Sequence, residues 1–152
     1  MQVKDIFTKD IYSITPDDNL VHAAQAMKRH NVGILPVVRD DRLLGVITDR
    51  DICVEAVSAA CDPHQCLVRD YMTAEPITIA PEASLEEAAN LMAQHQVRRL
   101  PVTDQGRLLG MVSLGDLAVN CVDNGVLANT LRKLSQPVRS EMHAATGAQT
   151  QR

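Results

Sequence analysis

Aromatic side chains are nearly missing from this sequence. It has no tryptophan, one phenylalanine (Phe7) and two tyrosines (Tyr12 and Tyr71), 2 % of 152 residues. Single-stranded nucleic acids are held by stacking on aromatic rings, so that mode of binding is excluded. Positive charge is short as well: 15 Lys and Arg face 19 Asp and Glu, a formal net charge of −4. Contact with a phosphate backbone needs an excess of cations, so no nucleic-acid partner is expected. Long hydrophobic runs are absent. The longest, such as residues 34–38, reach about five residues, where a membrane helix needs about twenty. The first ten residues carry Lys4, Asp5, Lys9 and Asp10 where a secretory signal would be apolar, so a cytoplasmic location is expected. Four cysteines in that setting are expected as reduced thiols, not as a disulfide framework. Phosphate-binding loops, nucleophile elbows, His-Glu-x-x-His and Cys-x-x-Cys are all lacking. No catalysis and no resident cofactor are expected.

What is present is a hydrophobic content of 45 %, enough for a packed core, arranged as an internal repeat. Residues 3–57 align without a gap on residues 68–122, with about 21 identities in about 55 positions. Leu35-Pro36-Val37 faces Leu100-Pro101-Val102, and Arg42-Leu43-Leu44-Gly45 faces Arg107-Leu108-Leu109-Gly110. A unit of about 60 residues buries only about 60 % of its unfolded surface. Two copies are therefore expected to fold as one body with pseudo-twofold symmetry, and the cleft between them is the natural binding place. Each copy reads as a short opening helix, a brief strand ended by Pro16 or Pro81, and then an amphipathic helix. Leu20, Ala23, Ala24 and Met27 mark the buried face of that helix, as do Leu85, Ala88, Ala89 and Met92. Ser84 and Glu87 have capping-box spacing. A hairpin and a last helix beginning near Asp49 or Leu114 follow. The boundaries are 1–60 for the first copy, 61–67 for a linker, 68–124 for the second copy, and 125–152 for a short helix with Leu127, Leu131 and Leu134 on one side and a loose tail.

The sharpest motif occurs twice, as Gly45-Val46-Ile47-Thr48-Asp49-Arg50-Asp51 and Gly110-Met111-Val112-Ser113-Leu114-Gly115-Asp116. A hydroxyl followed three residues later by an aspartate, where a strand hands over to a helix, is a capping arrangement. The same geometry suits a ligand. Free N–H groups at a helix start attract phosphate beside the hydroxyl, and a carboxylate accepts hydrogen bonds from a ribose diol. The two glycines suit a strand kink or close backbone approach.

The repeat, the Leu-Pro-Val strand and the Gly-x-x-Thr/Ser-x-x-Asp ending together resemble a tandem pair of cystathionine-β-synthase (CBS) domains, across residues 3–122. The chain is similar to small stand-alone bacterial proteins of that kind. The resemblance implies an α+β fold of two CBS repeats, each helix–strand–helix–strand–strand–helix, packed with pseudo-twofold symmetry through their sheets. It also implies a regulatory function. Such pairs bind adenosine-containing ligands (AMP, ADP, ATP, S-adenosylmethionine or NAD) in the cleft between the sheets. The family aspartate, at Asp51 and Asp116, holds ribose; the hydroxyl, at Thr48 and Ser113, holds phosphate. Adenine contacts carry over to Tyr12 and Ile77, to Gly33 and Ile34, and to Arg98 and Arg99. In the regulatory subunit of AMP-activated kinase, basic residues at the place of Arg98 and Arg99 face phosphates. The first copy has Gly33-Ile34 there, so two unequal sites are expected. Such proteins also form dimers, and a homodimer acting on an unidentified downstream protein is expected here. The competing reading is a dimeric structural scaffold whose pockets are degenerate and empty.

Three features have plainer readings. His30 and His95 end the first amphipathic helices, where a cation suits the helix dipole. Cys61, His64 and Cys66 form a weak metal cluster, because their spacing is unlike that of common zinc sites. Cys53 and Cys121 read as small buried apolar residues.

Overall fold

The computed structural model describes residues 1–120 and 123–137. The first repeat contains a 3-10 turn (Val3–Asp5), helix α1 (Leu20–His30), strands β1 (Ile34–Arg39) and β2 (Arg42–Thr48), and a π-helix (Asp51–Val57). The second contains α2 (Val68–Tyr71), β3 (Thr73–Ala74), α3 (Leu85–His95), β4 (Arg99–Asp104), β5 (Arg107–Ser113) and α4 (Leu114–Val119), followed by α5 (Asn124–Leu134). The brief strands expected before Pro16 and Pro81 shrink to single bridges, Ile14 to Val37 and Ile79 to Val102.

Local chemistry sets the element ends. Asn19 caps α1 by accepting from the His22 N–H, and Ser84 caps α3 by accepting from the Glu87 N–H. That hydrogen bond at α3 supplies the serine half of the expected capping box. Both helices stop at a left-handed residue, Asn31 (φ 52°) and Gln96 (φ 53°), which lets the chain turn into the next strand. Each hairpin turns on two residues of positive φ, Asp40 and Asp41 or Gln105 and Gly106. That is the twist a two-residue antiparallel turn demands.

The sheet order is β1-β2-β5-β4, with β3 beside β2. The two hairpins meet edge to edge only at Arg42 and Arg107. There the Leu43 N–H donates to the Gly106 carbonyl and the Leu108 N–H to the Asp41 carbonyl. The two bonds are related by the repeat, so the pseudo-twofold axis runs between them.

The opening segments cross over. Thr8 pairs with Met111 of the second repeat, and β3 pairs with Gly45 and Val46 of the first. Val3 is accordingly buried in the second repeat's core, beside Met92, Leu100 and Leu117. Val68 is buried in the first, beside Leu20, Leu35 and Ile47. The motif glycines admit this crossing. A Cβ on Gly45 would lie 2.6 Å from the Thr73 carbonyl oxygen, and one on Gly110 would lie 2.2 Å from that of Thr8.

Symmetry fails at α5. Asp123 caps this helix by accepting from the Gly125 and Val126 N–H groups. Its buried face centres on Thr130, 1 % exposed, whose hydroxyl donates to the Val126 and Ala89 carbonyls. Leu131, expected on the apolar side, is 45 % exposed. Ala89 is buried under this helix, whereas its counterpart Ala24, expected in the core, is exposed, with no equivalent helix over α1 among the described residues. The tail expected to be loose lies beyond residue 137, outside the described residues, and Cys121 is likewise not among them.

Candidate functional site: two pockets between the repeats

Thr48 and Ser113 are the last residues of β2 and β5. At the second motif the Ser113 N–H and hydroxyl donate to Asp116 Oδ2 at 2.7 and 2.8 Å, and the Asp116 N–H returns a bond to Ser113 Oγ at 3.1 Å. At the first motif the Thr48 N–H donates to Asp51 Oδ2 at 2.9 Å, and the Asp51 N–H donates to Thr48 Oγ1 at 3.0 Å. Both motifs are therefore reciprocal caps, and all four side chains are half-buried. In each aspartate Oδ2 serves the cap; Oδ1 has no hydrogen-bond partner among the described residues. Capping holds the carboxylate still and leaves one oxygen available, so the structural and the binding roles do not compete. Asp51 is the first residue of the π-helix, a winding often found at functional sites.

Each cap opens into a pocket completed by the other repeat. Thr48 and Asp51 line a cavity of about 680 Å³, closed by Ile77, His95, Arg98 and Arg99 from the second repeat. Gly33, Ile34 and Arg50 also border it. Ser113 and Asp116 line a cavity of about 360 Å³, closed by Asp10, Tyr12, His30 and Ile34 from the first repeat, with Arg99 also on its lining. Both volumes fall in the range of small-molecule pockets, roughly 300–1,000 Å³. Tyr12 and Ile77 reach the opposite repeat's motif because they follow the crossing segments. Arg98 stands by the first motif, and Arg99 borders both pockets. Among the described residues no carboxylate pairs with either arginine.

His30 and His95 line the two pockets at equivalent positions, which the helix-dipole reading missed. Their retention in both repeats was the available signal. The Tyr12 ring stacks on His30, with centroids 4.6 Å apart and planes 25° off parallel. Asp49 is a second addition: its carboxylate lies beside Gly33 and borders the larger pocket.

The linker departs from expectation. Cys61 and Cys66 are paired as a disulfide, Cα atoms 6.4 Å apart, not held as reduced thiols. In this state neither sulfur is a thiolate free to join His64 on a metal. No group of three or more His, Cys, Asp or Glu side chains placed to hold a metal occurs among the described residues. The pairing is local because the loop folds back on the start of α1: Leu20 and Val21 donate to the Cys66 and Pro63 carbonyls, and the Asn19 side chain donates to that of His64. Cys53, expected to be buried, is exposed on the outer side of the π-helix.

Comparison with known proteins matches both repeats. The model of the CBS domain matches residues 3–57 and again 68–122. The chain is 44 % identical over 133 residues to the CBS domain-containing protein YhcV of Bacillus subtilis, covering 88 % of this chain and 94 % of that protein. It is 34 % identical over 125 residues to hypoxic response protein 1 of Mycobacterium tuberculosis, covering 82 % and 87 %. The crystal structure of hypoxic response protein I with two coordinated zinc ions superposes with a TM-score of 0.74, over 80 % of this chain and all of that one, at 34 % identity. CBSX2 in complex with AMP gives 0.69 over 78 % and 94 %, at 27 % identity. A duplicated cap, crossing segments and two matched repeats converge on one assignment: the chain belongs to the CBS-domain family, as a tandem pair.

Proposed function

We propose that this CBS pair is a cytoplasmic regulatory module that binds adenosine-containing ligands (AMP, ADP, ATP, S-adenosylmethionine or NAD) in its two pockets and carries out no chemistry on them. One observation carries the reading: each Thr/Ser-x-x-Asp cap opens into a cavity walled by the other repeat. In this reading Asp51 and Asp116 accept from ribose through Oδ1, and Thr48 and Ser113 meet phosphate at the helix start. Tyr12 and Ile77 lie against adenine, and Arg98 and Arg99 take phosphate oxygens. The AMP held by CBSX2 supports the ligand class. A ligand between two repeats favours whichever arrangement of them it binds better, and that difference in affinity is the signal.

Mass spectrometry of the native protein, with a thermal-shift panel of adenine nucleotides, tests the reading. A ligand at about 100 times its dissociation constant stabilises by about 2.7 kcal/mol. Asp51→Ala and Asp116→Ala are each expected to remove part of that shift. Full retention in both variants would end the site assignment.

A scaffold role is the second reading, favoured by apolar side chains on the outer helices. Val54 and Val57 on the π-helix are 41 % and 61 % exposed, and Val119 on α4, the counterpart of Val54, is 80 % exposed. A second copy of the chain is the proposed occupant of this face, since the pseudo-symmetric pair of helices offers a self-complementary surface. The hexameric CBS-CP12 protein, 28 % identical, shows a relative that assembles. Light scattering decides: a monomer removes the scaffold reading, and a dimer with no nucleotide response favours it.

A further inference from the structure

We infer that the two pockets are coupled antagonistically through one shared side chain, Arg99, so that a phosphate-bearing ligand in the Thr48 pocket weakens binding of a second one in the Ser113 pocket. The inference rests on the proposed binding function and adds its regulation.

The pseudo-twofold axis places positions 34 and 99 on the wall between the cavities, and both residues border both. One is isoleucine and the other arginine, so that wall holds a single cation. The pockets depend on it unequally. The Thr48 pocket has Arg50 and Arg98 of its own, against Asp49 and Asp51. The Ser113 pocket has Asp10 and Asp116 and no other arginine or lysine on its lining. Arg99 is exposed and makes no ion pair among the described residues, so its guanidinium is available to either side. It forms charge-assisted, bidentate bonds with one phosphate group at a time. When a nucleotide in the larger pocket takes it, the smaller pocket is left with two carboxylates and no guanidinium facing an incoming phosphate. Like charges at that range disfavour the second ligand. Linkage makes the penalty mutual. A ligand without phosphate makes no claim on Arg99, so adenosine escapes the penalty.

Calorimetric titration of the full chain with ADP tests this. Asp51→Ala reports the Ser113 pocket alone, and Asp116→Ala reports the Thr48 pocket alone. Arg98→Glu is a second way to empty the Thr48 pocket; it lies on an exposed position and leaves the cap intact. Wild type is expected to show a weaker step about tenfold poorer than the single step of Asp51→Ala or Arg98→Glu, within the five- to 150-fold typical of coupled sites. Complete loss of that step in wild type alone is the same effect in stronger form. The ratio should fall to about one in Arg99→Gln and, for wild type, when adenosine replaces ADP. A wild-type isotherm equal to the sum of the two single-pocket isotherms overturns the coupling and leaves the binding function standing. So does a ratio that persists in Arg99→Gln. ADP binding that is undetectable in wild type, or unchanged by both aspartate variants, defeats the binding function itself and the coupling with it.

Discussion

Gly110 sits where the other repeat's backbone crosses β5, and its missing side chain is what makes room. An added Cβ would lie 2.2 Å from the Thr8 carbonyl oxygen and 2.5 Å from the Phe7 ring. That carbonyl accepts from the Met111 N–H and cannot swing away as a side-chain tip can. Gly110→Ala is therefore expected to cost about 1–3 kcal/mol, the usual range for overpacking, read as a lower urea midpoint. Asp18 works through hydrogen bonds instead. Burial pushes its carboxyl up, but the Thr15 N–H, the His22 ring and the Thr15 hydroxyl outweigh burial and hold it below the ordinary 3.8. A depressed carboxylate stabilises the fold above its unfolded value, and the gain is lost as pH falls through the folded one. Asp18→Asn is expected to lower the melting temperature at neutral pH, and the gap to wild type should close as pH drops below 3.8. Residues that act by what they touch within three or four positions, such as Ser113 with Asp116, were legible from spacing. The neighbours of Gly110 were not, because they lie a hundred residues away in the chain.

At the scale of elements, the repeated helices follow from their apolar spacing, and Met27 and Met92 are buried as that spacing implies (7 % and 0 % exposed). The last helix was legible as a helix but not in its orientation. Its leucines suggested one face; the helix turns Thr130 inward instead, where the hydroxyl reaches Ala89 on α3. Small residues at the crossing let the two helices approach closely, a demand set by the surface beneath and not by the hydrophobicity of α5. Thr130→Arg is expected to separate α5 from α3 and cost more than about 2 kcal/mol, the range for an unpaired charge forced into a buried site. A thermal melt checks it. Val119, exposed on α4, offers the contrast: Val119→Ser should change monomer stability by no more than about 0.5 kcal/mol. A larger loss that vanishes on dilution would mark the face as an interface.

At the scale of the whole molecule, crossing segments make the repeats dependent on each other. The first repeat's core is incomplete without Val68, and the second's without Val3. A unit of about 60 residues is marginal even with a full core. Residues 1–60 alone are therefore expected to give the circular dichroism of an unfolded chain, while the full chain melts in one transition. A folded, cooperative fragment would contradict the interlocked core. The crossing also explains why each pocket mixes repeats, with Tyr12 brought to Ser113 and Ile77 to Thr48.

Read alone, the sequence determined the duplication, the order of helices and hairpins, the two caps and the residue types able to meet ribose and phosphate. All of these follow from local spacing and from comparing the chain with itself. Which motif each arginine and aromatic residue would serve was decided only by the tertiary structure. Self-similarity is the same whether a segment packs on its own repeat or on its partner, and the choice is made by long-range burial of Val3 and Val68. Arg99 became a shared residue in that step, since a wall common to both pockets exists only once the two halves have come together.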